Sequence, residues 1–212
     1  MRAHDKPRSE LAELLYLASS NSGKLREFQA LANSVDGVGW RFDLEALPSF
    51  DSLPVFEEDA PTFAENALGK ALYYSRGQDE FVFADDSGLV VAALGGAPGV
   101  HSARYAGPAA SSGERIAKLL RELREVKGEE RRAYFVCAIA LARRGRATAV
   151  LTDRVDGEIL ETPRGAGGFG YDPVFYFPPL AKAFAELSAE EKNEHSHRGK
   201  AFRKLLRVLR ER

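Results

Sequence analysis

One cysteine occurs in the 212 residues, so no internal disulfide can form. Cys137 lies inside the apolar run Tyr134–Ala142, where a small thiol fills core space. The lack of disulfides fits a reducing compartment. No apolar segment approaches the ~20 residues that cross a bilayer. The first ten residues are polar and have no signal-peptide apolar core. A cytoplasmic chain with no membrane partner is expected. An excess of one charge is also missing, because 30 basic residues against 31 acidic ones leave a formal net charge of −1. That excludes broad attraction to nucleic acid, so any anion site must be local. The Walker spacing GxxxxGK[ST] does not occur. His195 and His197 flank a serine, but no cysteine or second histidine pair stands near enough in sequence to complete a zinc site.

What is present centres on Phe83–Gly107, FADDSGLVVAALGGAPGVHSARYAG. An apolar strand is expected to break at Asp85-Asp86-Ser87-Gly88; taken alone the motif would be an Asx-type turn closing a hairpin, but its surroundings favour a site. Adjacent carboxylates repel unless a cation or proton lies beside them, and carboxylate oxygens are natural ligands of Mg²⁺. The residues alone do not choose between Asp85 and Asp86. Upstream, the strand Leu14–Ala18 runs into Ser19-Ser20-Asn21-Ser22-Gly23-Lys24, and the periodic LREFQALA then starts a helix. Free N–H groups, the positive helix end and Lys24 together make an anion pocket.

Residues Trp40–Leu44 read as a second strand, followed by an irregular acidic stretch containing Glu57-Glu58-Asp59. Thr62 and Glu65 form a capping box for a helix over Phe63–Arg76. Asn66 and Lys70 share one face of it, which ordinarily is the wet side. A second capping box, Ser111 with Glu114, opens a helix to about Val126. Residues 131–142 and 146–155 read as a hairpin turning at Arg144-Gly145, its first strand covered on both faces. Four glycines in the six residues 165–170 permit close backbone approach, and Phe169 beside them offers an exposed stacking platform for a base. Val174–Phe177 is a short strand, Ser188 caps a brief helix, and a basic amphipathic helix runs from about Ala201 to Arg210. Strands alternating with helices, plus one hairpin, predict an α/β fold with a mixed sheet. Each candidate group is expected at a strand exit, where ligands collect. Acids for a cation, lysines for phosphates and aromatics for a ring describe a nucleoside triphosphate with Mg²⁺.

The segments SSNSGKLREFQAL, EEDAPTFAENALGKA, ADDSGLVVAALGGAPGVHSARYAG, GFGYDPVF and AELSAEEKNEHSHRGKA resemble, in order, the motifs of the inosine triphosphate pyrophosphatase family. The resemblance covers the chain from about Leu15 to the C-terminal helix. It implies an elongated mixed sheet flanked by helices, two lobes around a substrate cleft, and a homodimer. Residues 1–12 then form a disordered extension and 13–212 one domain. It implies Mg²⁺-dependent hydrolysis of ITP, dITP and XTP to the monophosphate and pyrophosphate. Carried over by position, Ser19, Ser20, Asn21, Ser22, Gly23 and Lys24 cradle the triphosphate, and Lys70 helps neutralise it. Glu57 and Asp86 hold the metal, Asp86 is also the base, and Ser87 contacts substrate. Phe169, Gly170, Tyr171 and Asp172 form the base pocket with Lys192, His197 and Arg198. The chain departs from the family's usual pattern at His101 and His195.

Overall fold

A computed structural model describes residues 13–33 and 42–211. Seven strands form one mixed sheet in the order β2-β1-β3-β4-β5-β6-β7. They are β1 (Glu13–Leu17), β2 (Phe42–Ala46), β3 (Phe81–Val91), β4 (Arg132–Arg143), β5 (Arg146–Ile159), β6 (Phe175–Phe177) and β7 (Lys182–Ala183). β1 runs parallel to β2 and β3, and every later pairing is antiparallel. The helices are α1 (Ser22–Asn33), α2 (Phe63–Tyr74), α3 (Ser112–Glu122), α4 (Ala189–His195) and α5 (His197–Arg210). None of the described helices is long and apolar enough to cross a membrane. The N-terminal extension and Trp40 lie outside the described residues.

Local chemistry explains most boundaries. Ser111 Oγ accepts from Glu114 N at 3.2 Å while Glu114 Oε2 accepts from Ser111 N at 2.7 Å, which starts α3. Ser188 and Glu191 repeat that reciprocal pair at α4. α5 begins at His197, four residues before the predicted start, because Ser196 Oγ accepts from Gly199 N at 3.1 Å and caps it there. β4 is buried from Phe135 to Ala142, as its continuous apolar run predicts, and Cys137 sits in its core.

Side chains alternate across the strands, so the sheet divides its neighbours. Leu15, Phe83, Ile139 and Leu141 face α1 and α5, where Phe28, Phe202 and Leu205 are fully buried. Val82, Ala84, Ala138 and Ala140 face α2. A third cluster joins α3 to β6 through Leu119, Phe135, Phe175 and Phe184.

The expected break at the paired aspartates does not occur. β3 continues through them, with Asp85 opposite Ile139, Asp86 opposite Ala138, Ser87 opposite Cys137 and Gly88 opposite Val136. Gly88 serves close packing and makes no turn, since a Cβ there would stand 2.4 Å from Ser102 Oγ and 2.6 Å from the Gly99 carbonyl. The Asp–Ser–Gly turn preference loses to ladder pairing with an apolar central strand. Asp85 and Asp86 are therefore mid-strand residues, not exit residues.

Candidate active site

The cleft opens where β1 stops. Ala18 N still donates to Phe83 O at 2.9 Å, but beyond Phe83 the edge of β3 loses its β1 neighbour. Asp86 and Ser87 then line, with Ser19, Ser20 and Asn21, a cleft of about 570 Å³. Asn21 caps α1, its Oδ1 accepting from Gly23 N at 2.9 Å and Lys24 N at 3.0 Å. The positive end of a helix thus points into the cleft.

Strand alternation gives the two aspartates different surroundings. Asp85, fully buried, faces α1 and α5, and its Oδ2 lies 2.9 Å from Lys24 Nζ and 3.7 Å from Arg198 Nε. Burial would raise its carboxyl, but the Lys24, Arg198 and Lys70 cations outweigh that and hold it at about 2. Asp86 faces α2 and accepts at Oδ2 from Asn66 Nδ2 at 3.0 Å. Burial pushes it up, the Glu58 carboxylate adds to this, and the Asn66 bond offsets only part, leaving it at about 6. One acid is a fixed anion and the other is poised to exchange a proton.

On the α2 face Lys70 Nζ pairs with Glu58 and donates to the Asp85 carbonyl at 3.1 Å. The acidic loop is fastened at several points. Tyr74 Oη accepts from Phe56 N at 3.0 Å and donates to Pro54 O at 3.1 Å, and Asn66 Oδ1 accepts from Ala60 N at 2.9 Å. Arg104 Nη2 adds a bond of 2.9 Å to the Glu58 carbonyl.

At the opposite end Phe169 is half-buried. The guanidinium of Arg198 lies 4.9 Å and the ammonium of Lys192 5.0 Å from its ring centre. A Cβ on Gly23 would stand 3.4 Å from the same ring, so the first turn of α1 and the aromatic loop approach closely there. Asp172 Oδ2 accepts from Phe169 N and from Lys192 Nζ, both at 2.8 Å. Glu27 binds Lys192 at 2.5 Å and Arg198 at 2.8 Å.

A model of the Ham1 family matches residues 15–208. The chain belongs to the Ham1 family. It is 54% identical over 191 residues to a Geobacillus kaustophilus protein named dITP/XTP pyrophosphatase, with 90% of this chain and 91% of the relative covered. A Thermus thermophilus protein of the same name is 48% identical over 195 residues, covering 92% and 91%. Among solved structures, a HAM1 protein from Coxiella burnetii superposes with a TM-score of 0.81 at 41% identity, covering 94% of this chain and 100% of that one. The Staphylococcus aureus Ham1 protein gives 0.79 at 38%, covering 93% and 98%.

In this Ham1-family chain Ser19, Ser20, Asn21, Lys24, Glu57 and Lys70 line the cleft together with Asp86 and Ser87. Phe169, Gly170, Tyr171 and Arg198 line it at the aromatic end. Ser22 and Gly23 stand in the first turn of α1, behind the cap. Asp172 and Lys192 sit behind Phe169 and hold it in place. Tyr171 turns its hydroxyl inward to the Ser102 carbonyl at 2.9 Å. His197 is buried and stacks on Phe135 at 4.8 Å; burial, with the Arg198 and Lys192 cations, keeps it neutral well below the usual histidine range. His195 packs its ring 5.4 Å from Phe177, and His101 is exposed.

The expected wet face does not form, because Asn66 and Lys70 are buried, 1% and 8% exposed. Asn66, Glu27 and Arg104 have no site role in the sequence reading. Glu27, in the middle of α1, carries no local signal, since its partners stand on α4 and α5. Arg104 lies in the stretch GVHSARYAG, but nothing there indicates its reach to the acidic loop.

Proposed function

We propose that this chain hydrolyses the deaminated purine nucleoside triphosphates ITP, dITP and XTP to the monophosphate and pyrophosphate, with Mg²⁺ as cofactor, and so cleanses the nucleotide pool. The observation that carries the reading is one cleft in which a capped helix terminus with Lys24, the carboxylate of Asp86 and the Phe169–Arg198 wall face each other. The names of the relatives supply the substrate class.

The residues fit a hard cation. Asp86 is pushed toward its protonated form by burial and by the neighbouring Glu58 carboxylate, a charge condition that a divalent ion relieves. Among the described residues no group of three or more His, Cys, Asp or Glu could hold a metal by itself. A pair of carboxylates completed by water and substrate phosphates suits Mg²⁺. Glu57, which lines the same cleft, and Asp86 would be that pair, while Glu58 is held by Lys70; the ion when bound would polarise phosphate oxygens.

The protein's own part is positioning and charge. The Ser19–Lys24 turn and Lys70 would receive the triphosphate, and Ser87 would contact it. The Asp86 carboxylate would take a proton from water aligned on the α-phosphorus, and the lysines would stabilise the departing pyrophosphate. At the other end Phe169, Gly170, Tyr171 and Asp172 would shape the base pocket. The Arg198 N–H groups would donate to the O6 of a 6-oxo purine, with Lys192 and His197 supporting them from behind. Adenine would present an amino group to those donors, a mismatch of roughly 1–3 kcal/mol.

Pyrophosphate release from ITP, XTP, GTP, ATP and dTTP, with and without Mg²⁺, tests the reading. Release from ITP and XTP that requires metal supports it. Dominant dTTP turnover moves the chain to a pyrimidine-directed activity, and no release from any triphosphate removes the enzyme reading.

A further inference from the structure

Two buried residues of opposite charge in one cluster each carry a polar atom without a partner. Asp85 Oδ1 has no hydrogen-bond partner, and neither has Arg198 Nε. The two residues are 0% and 7% exposed, so water does not answer for either. Arg198 Nε stands 3.7 Å from Asp85 Oδ2, too far for a hydrogen bond.

Asp85 spends Oδ2 elsewhere, on Lys24 Nζ at 2.9 Å and on the Ser87 hydroxyl, which donates to it at 3.1 Å. Ser87 Oγ in turn accepts from Arg198 Nη2 at 2.9 Å. Lys24 and Ser87 therefore hold Oδ2 beyond hydrogen-bond reach of the guanidinium, while Asp85 Oδ1 and Arg198 Nε stay without partners. Lys24 and Arg198 both line the cleft, and in the proposed reading they stand at its phosphate and base ends.

Resting on the purine triphosphate reading of the cleft, we infer that Asp85 is a positioning residue that couples phosphate binding to base recognition. In the free protein Asp85 is the stand-in anion for Lys24. A triphosphate draws Lys24 off, the released carboxylate turns onto Arg198 Nε, and the guanidinium is fixed in the orientation that reads the base. The device favours a nucleoside carrying a polyphosphate over the same nucleoside alone, and it needs no movement larger than one side-chain rotation. Coupling of this kind is reciprocal between the two ligands.

The test uses the full chain without added metal, titrated calorimetrically with inosine in the presence and absence of saturating inorganic tripolyphosphate. In the wild type tripolyphosphate is expected to tighten inosine about fivefold or more, and inosine to tighten tripolyphosphate by the same factor. In Asp85→Asn that factor falls to about one while each ligand still binds. In Lys24→Met inosine alone binds as tightly as it binds the wild type with tripolyphosphate, a gain that a purely structural role for Asp85 does not produce. Independent binding of the two ligands to the wild type overturns the inference and leaves the functional reading intact. Unchanged coupling in Asp85→Asn, or no gain in Lys24→Met, also overturns it. Should Asp85→Asn fail to fold, Lys24→Met decides alone. If the wild type binds neither ligand, the inference falls, and the functional reading is decided separately by pyrophosphate release from ITP with Mg²⁺.

Discussion

The Glu27 carboxylate accepts from the Arg198 guanidinium at 2.8 Å although 171 positions separate them in the chain. The other oxygen of Glu27 holds Lys192, so one acid on α1 sets the spacing of both cations beside Phe169. Burial would raise the Glu27 carboxyl, and the two cations outweigh it and keep it ionised. Glu27→Gln retains the shape and removes the charge. The expected result is a selectivity for ITP over ATP narrowed by about tenfold or more, with a stability loss of about 1–3 kcal/mol. Steady-state kinetics on both substrates and urea denaturation would measure the two effects. Unchanged selectivity would show that Glu27 only fastens α1 to α4 and α5.

Asp86→Asn is expected to lose turnover and gain stability. The folded carboxyl sits at about 6 against an ordinary 3.8. Between about pH 4 and about pH 6 the unfolded chain has lost a proton that the folded chain keeps, so stability falls as pH rises through that window. The cost reaches up to about 3 kcal/mol above it. Asparagine carries no such cost and can still accept from Asn66. In EDTA the variant should therefore unfold at higher urea than the wild type at pH 8, with the two converging near pH 4. A variant less stable than the wild type at pH 8 would contradict the picture of Asp86 as a strained carboxylate.

Gly88→Ala tests packing under the cleft. The new methyl would meet Ser102 Oγ, the Gly99 carbonyl and the Phe63 ring, all within 2.9 Å. Ser102 cannot yield easily, because its Oγ accepts from Leu89 N at 2.9 Å and donates to Gly99 O at 2.7 Å. A loss of about 1–3 kcal/mol is expected, read from the denaturation midpoint at constant slope. Wild-type stability would mean that the segment Gly99–Arg104 is free to move away.

Metal removal should stop the chemistry and spare the fold. Three apolar clusters hold the sheet to its helices, and the described residues contain no metal-holding group of three or more. EDTA is expected to abolish pyrophosphate release while leaving the melting temperature unchanged or nearly so. A large drop in melting temperature would point to a structural ion.

The parts of the fold legible in the sequence are those decided within a few residues. The Ser111–Glu114 and Ser188–Glu191 boxes start helices where their spacing predicts, because donor and acceptor belong to the same turn. The hairpin at Arg144-Gly145 and the two-sided burial of β4 follow from turn chemistry and an unbroken apolar run. Asp85–Gly88 shows the limit of that approach. Its turn preference is genuine, yet pairing with Ile139, Ala138 and Cys137 overrides it. The strand is held from outside, by a partner some 50 residues away on the order of the register itself.

The sequence by itself determined the family, the order of the motifs and the chemical kinds assembled: an anion-binding turn, adjacent carboxylates, an aromatic loop and a basic helix start. Only the tertiary structure decided what each group does to its neighbours. Alternation along β3 buries Asp85 against Lys24 and Arg198 and turns Asp86 toward Asn66 and Glu58, so two identical side chains in sequence acquire opposite proton affinities. Glu27 becomes a member of the site only because α1 and α5 pack on the same face of the sheet. Charge in a buried site depends on distances across the fold, and those distances are not written in local spacing.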